Sequence, residues 1–219
     1  MYTGVMDNQK DFLPAAGHDL FLPFYDPLLR WMGGGQSRTD LIEQAQVQPG
    51  HHILDIGCGT GTLAVQLKRQ YRTAEVFGFD PDRKALRRAK TKAQRAAVSV
   101  KFEQGFADEL PYERGSFDRV FSSFMLHHLD EPDRKKTLSE VLRVLKPGGS
   151  LHLLDFTAGH PGSNGLWRRL INAHAQLKDN SDERILQLMS RAGFTQVEKV
   201  KAGSMFFGLL PTAYYKATA

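Results

Sequence analysis

With 219 residues, 41% of them hydrophobic and 24% charged, the chain has the composition of a globular protein with one sizeable core, which excludes a disordered acidic segment or a fibrous repeat. No apolar run approaches the ~20 residues that span a bilayer, Met1 to Asp19 shows no basic-then-apolar leader pattern, and the single cysteine, Cys58, excludes an internal disulfide; a cytoplasmic location is the expectation. The net charge of +5 gathers in Arg83, Lys84, Arg87, Arg88, Lys90, Lys92 and Arg95, with no acid among them.

Taken in chain order, the first element is an aromatic and leucine-rich stretch, Leu20 to Met32, which Pro23 and Pro27 break into short helical pieces. Gly33-Gly34-Gly35 reads as a hinge, so residues 1–34 are expected to form a lid segment, with Tyr25 facing cofactor or substrate, and 35–219 the main domain. Thr39 to Gln46 reads as a helix and Pro49-Gly50 as the turn into a first strand. Strands and helices then alternate: a strand at Ala74–Phe79, a helix at Pro81–Ala97, and strands at Val98–Glu103 and Phe117–Phe124. A helix at Glu131–Leu145 is stopped by Lys146-Pro147-Gly148-Gly149, followed by a strand at Ser150–Phe156. Helices at Leu166–Leu177 and Asp182–Ala192 precede closing strands at Val197–Lys201 and Phe206–Lys216. This alternation predicts an α/β sandwich around a mainly parallel sheet, whose ligands bind beyond the carboxyl ends of the strands. Leu86, Ala89, Ala93 and Ala97 recur at helical spacing beneath the basic residues, so residues 83–95 form an amphipathic helix with a basic outer face. That face reads as a solvated surface, or as a contact for nucleic acid, an anionic membrane or an acidic partner; the aromatics that stack single-stranded bases are missing from it.

The densest motif runs from Ile53 to Ala64, where an apolar strand enters Gly57-Cys58-Gly59-Thr60-Gly61 and a helix begins. Glycines at such a junction let a ligand lie against the backbone. The spacing is GxGxG, not the dinucleotide GxGxxG, and no Gly-Lys-Ser/Thr follows to hold phosphates. Asp55, just before the turn, would repel an anion and suits a cationic or amine-bearing ligand. Cys58 in that turn reads as a small packed residue. Asp80, at the end of the second strand and before Pro81, reads either as an acceptor for both hydroxyls of a ribose or as a helix N-cap.

Residues 53–64 resemble motif I of the class I S-adenosylmethionine-dependent methyltransferases, most of all the small-molecule group of ubiquinone/menaquinone C-methyltransferases and lipid N-methyltransferases. The resemblance implies a Rossmann-like three-layer sandwich with a seven-stranded, mainly parallel sheet and a last antiparallel strand. It implies S-adenosyl-L-methionine as cofactor, S-adenosyl-L-homocysteine as product, and contacts from Asp55, Gly57, Gly59, Thr60, Gly61, Asp80 and Pro81. Gly105 to Tyr112 resembles the family's Gly-Asp-Ala-Glu-x-Leu-Pro-Phe loop, which meets the adenine edge, but Phe106 stands where the family carries Asp. Either Asp108 takes over the polar contact, or Phe106 packs on the ring and Ala107 donates its N–H; Leu110 and Tyr112 read as anchors of the loop. Phe117-Asp118-Arg119-Val120 and Leu126-His127-His128-Leu129 resemble the family's fourth strand and its tail, placing Ser122, Ser123 and Phe124 beside the methionine part of the cofactor. His128 is expected to anchor the loop and His127 to be a catalytic candidate facing substrate. Neighbouring helical side chains diverge by about 100°, so the two histidines are not expected to share a metal ion.

An activated methyl donor asks chiefly for alignment and exclusion of water, which can contribute roughly 7–11 kcal/mol, and for a base only where the acceptor must lose a proton. The expected function is methyl transfer to a small, hydrophobic acceptor by in-line displacement, with peripheral membrane contact and oligomeric state left open. The alternatives are an RNA or protein methyltransferase working through the basic helix, or an inactive cofactor-binding module; the Asn/Asp-Pro-Pro-Tyr/Phe motif for a base amino group is missing.

Overall fold

A computed structural model describes residues 35–157, 180–205 and 210–219. Tyr25, the lid expected over residues 1–34 and the helix expected at Leu166–Leu177 lie outside the described residues. The elements are α1 (Gly35–Gln44), β1 (His52–Ile56), α2 (Thr62–Gln70), β2 (Glu75–Asp80), α3 (Arg83–Arg95), β3 (Lys101–Gln104), β4 (Phe117–Ser123), a 3-10 turn at Leu126–His128, α4 (Glu131–Val144), β5 (Leu145–Phe156), α5 (Asp182–Ala192), β6 (Thr195–Met205) and β7 (Leu210–Thr218). The strands form one sheet in the order β3-β2-β1-β4-β5-β7-β6. Pairing is parallel from β3 through β5, and β7 runs antiparallel between β5 and β6. This is the expected seven-stranded α/β sandwich, with the last strand antiparallel.

Two cores cover the two faces of the sheet. Leu41, Ile42, Leu63, Leu67, Leu86 and Ala89 bring α1, α2 and α3 onto the face that holds Ile53. Leu138, Val141, Ile185 and Met189 bring α4 and α5 onto the opposite face, with Leu54 and Ile56. Because strand side chains alternate, Asp55 points with Ile53 toward the α1–α3 layer.

Several boundaries differ from the sequence expectation for local reasons. Helix α1 starts at Gly35, so that glycine is a helical residue and not part of a hinge. Helix α3 starts at Arg83 because the Asp82 carboxylate accepts from the Lys84 and Ala85 amides; the N-cap is Asp82 and not Asp80. Ala97 adopts φ +52 and the Val98 amide bonds Ala93 O, so the chain leaving α3 uses the residues up to 100 and β3 begins only at Lys101. Residues 146–149, expected to stop the helix and precede the strand, lie within β5 instead, where Gly148 at φ +76 marks a register shift against β4 and the segment pairs with the terminus: Gly148 N–H donates to Ala219 O and Ala219 N–H to Gly149 O. Helix α5 is capped by Ser181 and ended by Gly193, the left-handed position expected for it.

Candidate active site

Strand order reverses between β1 and β4, and the carboxyl ends of β2, β1, β4 and β5 share one edge of the sheet. The topology brings Asp55, the 57–61 turn, Asp80, Ser122 and Ser123 to that edge, with Ile56 in register with Ser122. Such a crevice is where ligands of open α/β sheets sit.

The three glycines of the turn share positive φ, at +63, +51 and +71, but not the same surroundings. A Cβ on Gly57 would lie 2.3 Å from Met125 Cγ, and one on Gly61 would lie 2.7 Å from the Ala89 methyl and 2.9 Å from Phe102. A Cβ on Gly59 meets nothing within 4 Å. Gly57 and Gly61 therefore let protein pack on protein, and Gly59 alone of the three leaves open space against the backbone. Cys58 is buried, as expected of a packing residue, and burial holds its thiol well above the ordinary value.

Asp55 is fully buried, and neither carboxylate oxygen has a hydrogen-bond partner among the described residues. Burial first, then the negative charge of Asp80, pushes its pKa up to about 8; the Ala64 amide at the start of α2 and the Arg38 guanidinium oppose the shift. That amide approaches without closing a hydrogen bond of normal geometry. The Ser122 hydroxyl is likewise buried with no partner among the described residues. Leaving a buried carboxylate unsatisfied is expensive, and a cationic, amine-bearing ligand laid along Gly59 is what would return it to its charged form. The donor set fits S-adenosylmethionine.

Asp80 is nearly buried, its Oδ2 accepting from Gly59 N–H at 2.8 Å and its Oδ1 from Asp82 N–H at 2.8 Å. Burial raises its pKa to about 6 against the pull of those two amides. Its carboxylate thus ties the glycine turn to the start of α3, and each oxygen retains a lone pair for a further donor such as a ribose hydroxyl. Pro81 is half-buried and its carbonyl accepts from Gln104 Nε2 at 3.0 Å. The Thr60 hydroxyl faces α3, where Lys92 Nζ donates to it at 3.1 Å and also to Thr62 Oγ1. Lys92 therefore bends inward and does not belong to the outer face assigned to it from the sequence. Its signal was its place beside Ala93 at the border of the apolar stripe, from which a long side chain can reach inward.

The 105–112 loop is anchored as expected. Leu110 N–H donates to Glu140 Oε2 at 2.8 Å, Arg143 donates to the Leu110 and Tyr112 carbonyls, and the Tyr112 hydroxyl donates to Glu103 at 2.7 Å. Phe106, Ala107 and Asp108 are half-buried on this anchored loop.

At the end of β4, Phe124 holds φ +55, a costly conformation for a bulky residue; its N–H donates to Leu154 O at 2.8 Å and its ring stands 4.9 Å from that of Phe156. The anchoring contact expected of His128 falls to His127. His127 is buried, with its N–H on Asp155 Oδ2 at 3.0 Å and its Nδ1 on Asp155 Oδ1 at 2.5 Å. His128 is the more open residue, and burial lowers its pKa to about 4. Their rings do not diverge: in a 3-10 turn they lie 4.0 Å apart. Asp155, missed in the sequence, is fully buried at the end of β5, where only its place at a strand terminus could have marked it. Among the described residues no group of three or more His, Cys, Asp or Glu side chains is arranged to hold a metal ion.

A seven-stranded sheet of this order, with an unsatisfied carboxylate and an open glycine at its switch point, defines a class I S-adenosylmethionine-dependent methyltransferase. The chain belongs to that family, and its cofactor is S-adenosyl-L-methionine. Residues 53–149 match the family described as "Methyltransferase domain". The chain is 34% identical over 174 residues to the uncharacterized methyltransferase sll0829 of Synechocystis, covering 76% of this chain and 78% of that one. It is 36% identical over 151 residues to a demethylmenaquinone methyltransferase of Thermus thermophilus, covering 68% of each. The fold is shared with a phosphoethanolamine N-methyltransferase of Haemonchus contortus solved with S-adenosyl-L-methionine, at a TM-score of 0.75 and 19% identity over 93% of this chain and 58% of the other.

Proposed function

We propose that the protein methylates a small apolar acceptor, quinone-like or lipid-like, by in-line displacement, with His127 as the base that takes the acceptor's proton. The observation that carries this reading is the His127–Asp155 pair beside the aromatic wall of Phe124 and Phe156. When bound, S-adenosylmethionine supplies a methyl group activated by its sulfonium. Asp155 accepts from Nδ1–H and so leaves the Nε2 lone pair of His127 as the proton acceptor, a tautomer assigned from the partner. The acceptor's O–H or activated C–H would give its proton to Nε2, and water would clear it afterwards. His127 Nε2 hydrogen-bonds none of the described residues. Phe156 meets the His127 ring edge-on at 5.2 Å, which favours an apolar ring in the same space over a charged substrate. Asp55 and Gly59 would hold the amine-bearing end of the cofactor, Asp80 with Pro81 the ribose, Phe106 to Asp108 the adenine, and Ser122 and Ser123 the methionine side. Residues 1–34, rich in aromatics around Tyr25, would cover the cleft and exclude water.

Turnover of methyl-labelled cofactor across quinol, lipid and RNA pools tests the reading. Label should enter the apolar pool, His127→Gln should lower kcat on the order of a hundredfold to ten-thousandfold, as loss of a general base does, and cofactor affinity should hold. Label entering RNA alone, or full activity in His127→Gln, would refute it.

A further inference from the structure

We propose that the outer face of α3 is a docking surface for anionic lipid headgroups, one that holds the mouth of the site against the layer where an apolar acceptor resides; this rests on the apolar-acceptor reading above. Arg83, Lys84, Arg87, Lys90 and Arg95 are exposed along this helix and Arg88 is half-buried, while Ala85, Leu86, Ala89 and Ala93 face the core. At ~1.5 Å per residue the thirteen residues present a strip about 20 Å long, enough to meet several headgroups. The helix carries no acid, and among the described residues none of Arg83, Arg87, Arg88, Lys90 and Arg95 forms an ion pair.

A second observation points the same way. Arg83 and Lys84 occupy the first turn, where the positive end of the helix dipole disfavours cations. The Asp82 carboxylate offsets part of this, but it is buried and bonded to the Lys84 and Ala85 amides. The nearby ion pair of Lys101 with Glu75, at 3.0 Å, belongs to the edge of the sheet and not to the helix. Arg83, in that unfavourable place and in no ion pair among the described residues, is suited to an external anion.

Position ties this face to the site. The start of α3 is joined to the glycine turn through the Asp80 carboxylate, and the Ala89 methyl closes against Gly61. A surface that grips α3 therefore sits at the rim of the cofactor crevice. Lipid is favoured over nucleic acid because the exposed face carries no aromatic side chain for base stacking. It also carries no apolar side chain to insert, so the contact is electrostatic and reversible.

The test uses the full chain and vesicles of phosphatidylcholine with or without phosphatidylglycerol, by co-sedimentation. Binding should need phosphatidylglycerol and weaken with added salt. Arg87→Glu combined with Lys90→Glu should weaken it on the order of 25-fold or more, since each basic residue near an anionic surface contributes about fivefold. Neither residue touches the glycine turn, so turnover on a water-dispersed acceptor should be unchanged in that variant, with thermal melting as the folding control. Binding to neutral vesicles as strong as to anionic ones, an unchanged affinity in the folded double variant, or an RNA duplex bound more tightly than the anionic vesicles would each overturn the proposal. Vesicle binding that follows charge while no dispersed quinol is ever methylated would sink the acceptor reading and leave the docking surface standing.

Discussion

Replacing Gly59 by alanine separates a cofactor cradle from a mere tight turn. A Cβ there meets nothing within 4 Å, so the cost to the free protein is the backbone alone. At φ +51 an L-residue pays about 1–2 kcal/mol, which for a chain of this size lowers Tm by roughly 2–8 °C. Cofactor affinity should fall further than stability does, because the new methyl takes the space in which the ligand would lie against the backbone. A loss of at least tenfold, or about 1.4 kcal/mol, is expected by titration calorimetry with S-adenosylhomocysteine. Gly57→Ala should behave in the opposite way: its Cβ would fall 2.3 Å from Met125 Cγ, so overpacking of about 1–3 kcal/mol adds to the strain at φ +63 and stability suffers most. A Gly59→Ala protein that melts lower yet binds cofactor as tightly as the parent would refute the cradle.

Two further outcomes follow from the same geometry. Asp80→Asn, which keeps one acceptor oxygen for the loop amides, should weaken cofactor binding by roughly tenfold to a hundredfold, the worth of a charged hydrogen bond at about 1.5–3 kcal/mol; Asp82→Ala should cost about 1 kcal/mol of stability as a lost cap and leave affinity alone, and equal effects on affinity in calorimetry would place the ribose elsewhere. His152 is fully buried between Gln44 at Nδ1 and Ser150 at Nε2, and burial, then Arg119 and Lys216, lowers its pKa to about 3. The unfolded chain therefore binds the extra proton first, so stability is lost as pH falls from about 6.5 toward 3, by up to roughly 4–5 kcal/mol. Urea midpoints of parent and His152→Asn should converge over that window, and a constant difference would show that protonation of His152 is not the cause.

The periodic elements and the glycine turn were legible because their causes are local. Apolar alternation, Asp before a helix and Gly after one act within a few residues, so the strand cores and the α5 cap agree with the structure. The helix starts at Arg83 and not at Pro81 because Asp82, two residues beyond the cap read from the sequence at Asp80, holds the first helical amides, and only its hydrogen bonds reveal this. The anchoring contact falls to His127 and not to His128 because its partner, Asp155, arrives from β5, twenty-eight positions along the chain.

By itself, the order of residues determined the class of protein: GxGxG after a strand, Asp55 before it, Asp80 after the next strand, and the alternation that makes a parallel sheet. Only the tertiary structure decided what those groups do. Burial in the α1–α3 layer, with Asp80 nearby, makes Asp55 an unsatisfied acceptor instead of a surface acid. Packing of Met125, Ala89 and Phe102 leaves Gly59 as the open glycine of the three. Pairing of β4 with β5 sets Asp155 against His127. These are long-range desolvation, shape and contact, which no window of sequence contains, because each depends on which chain segment lies on the other side of the sheet.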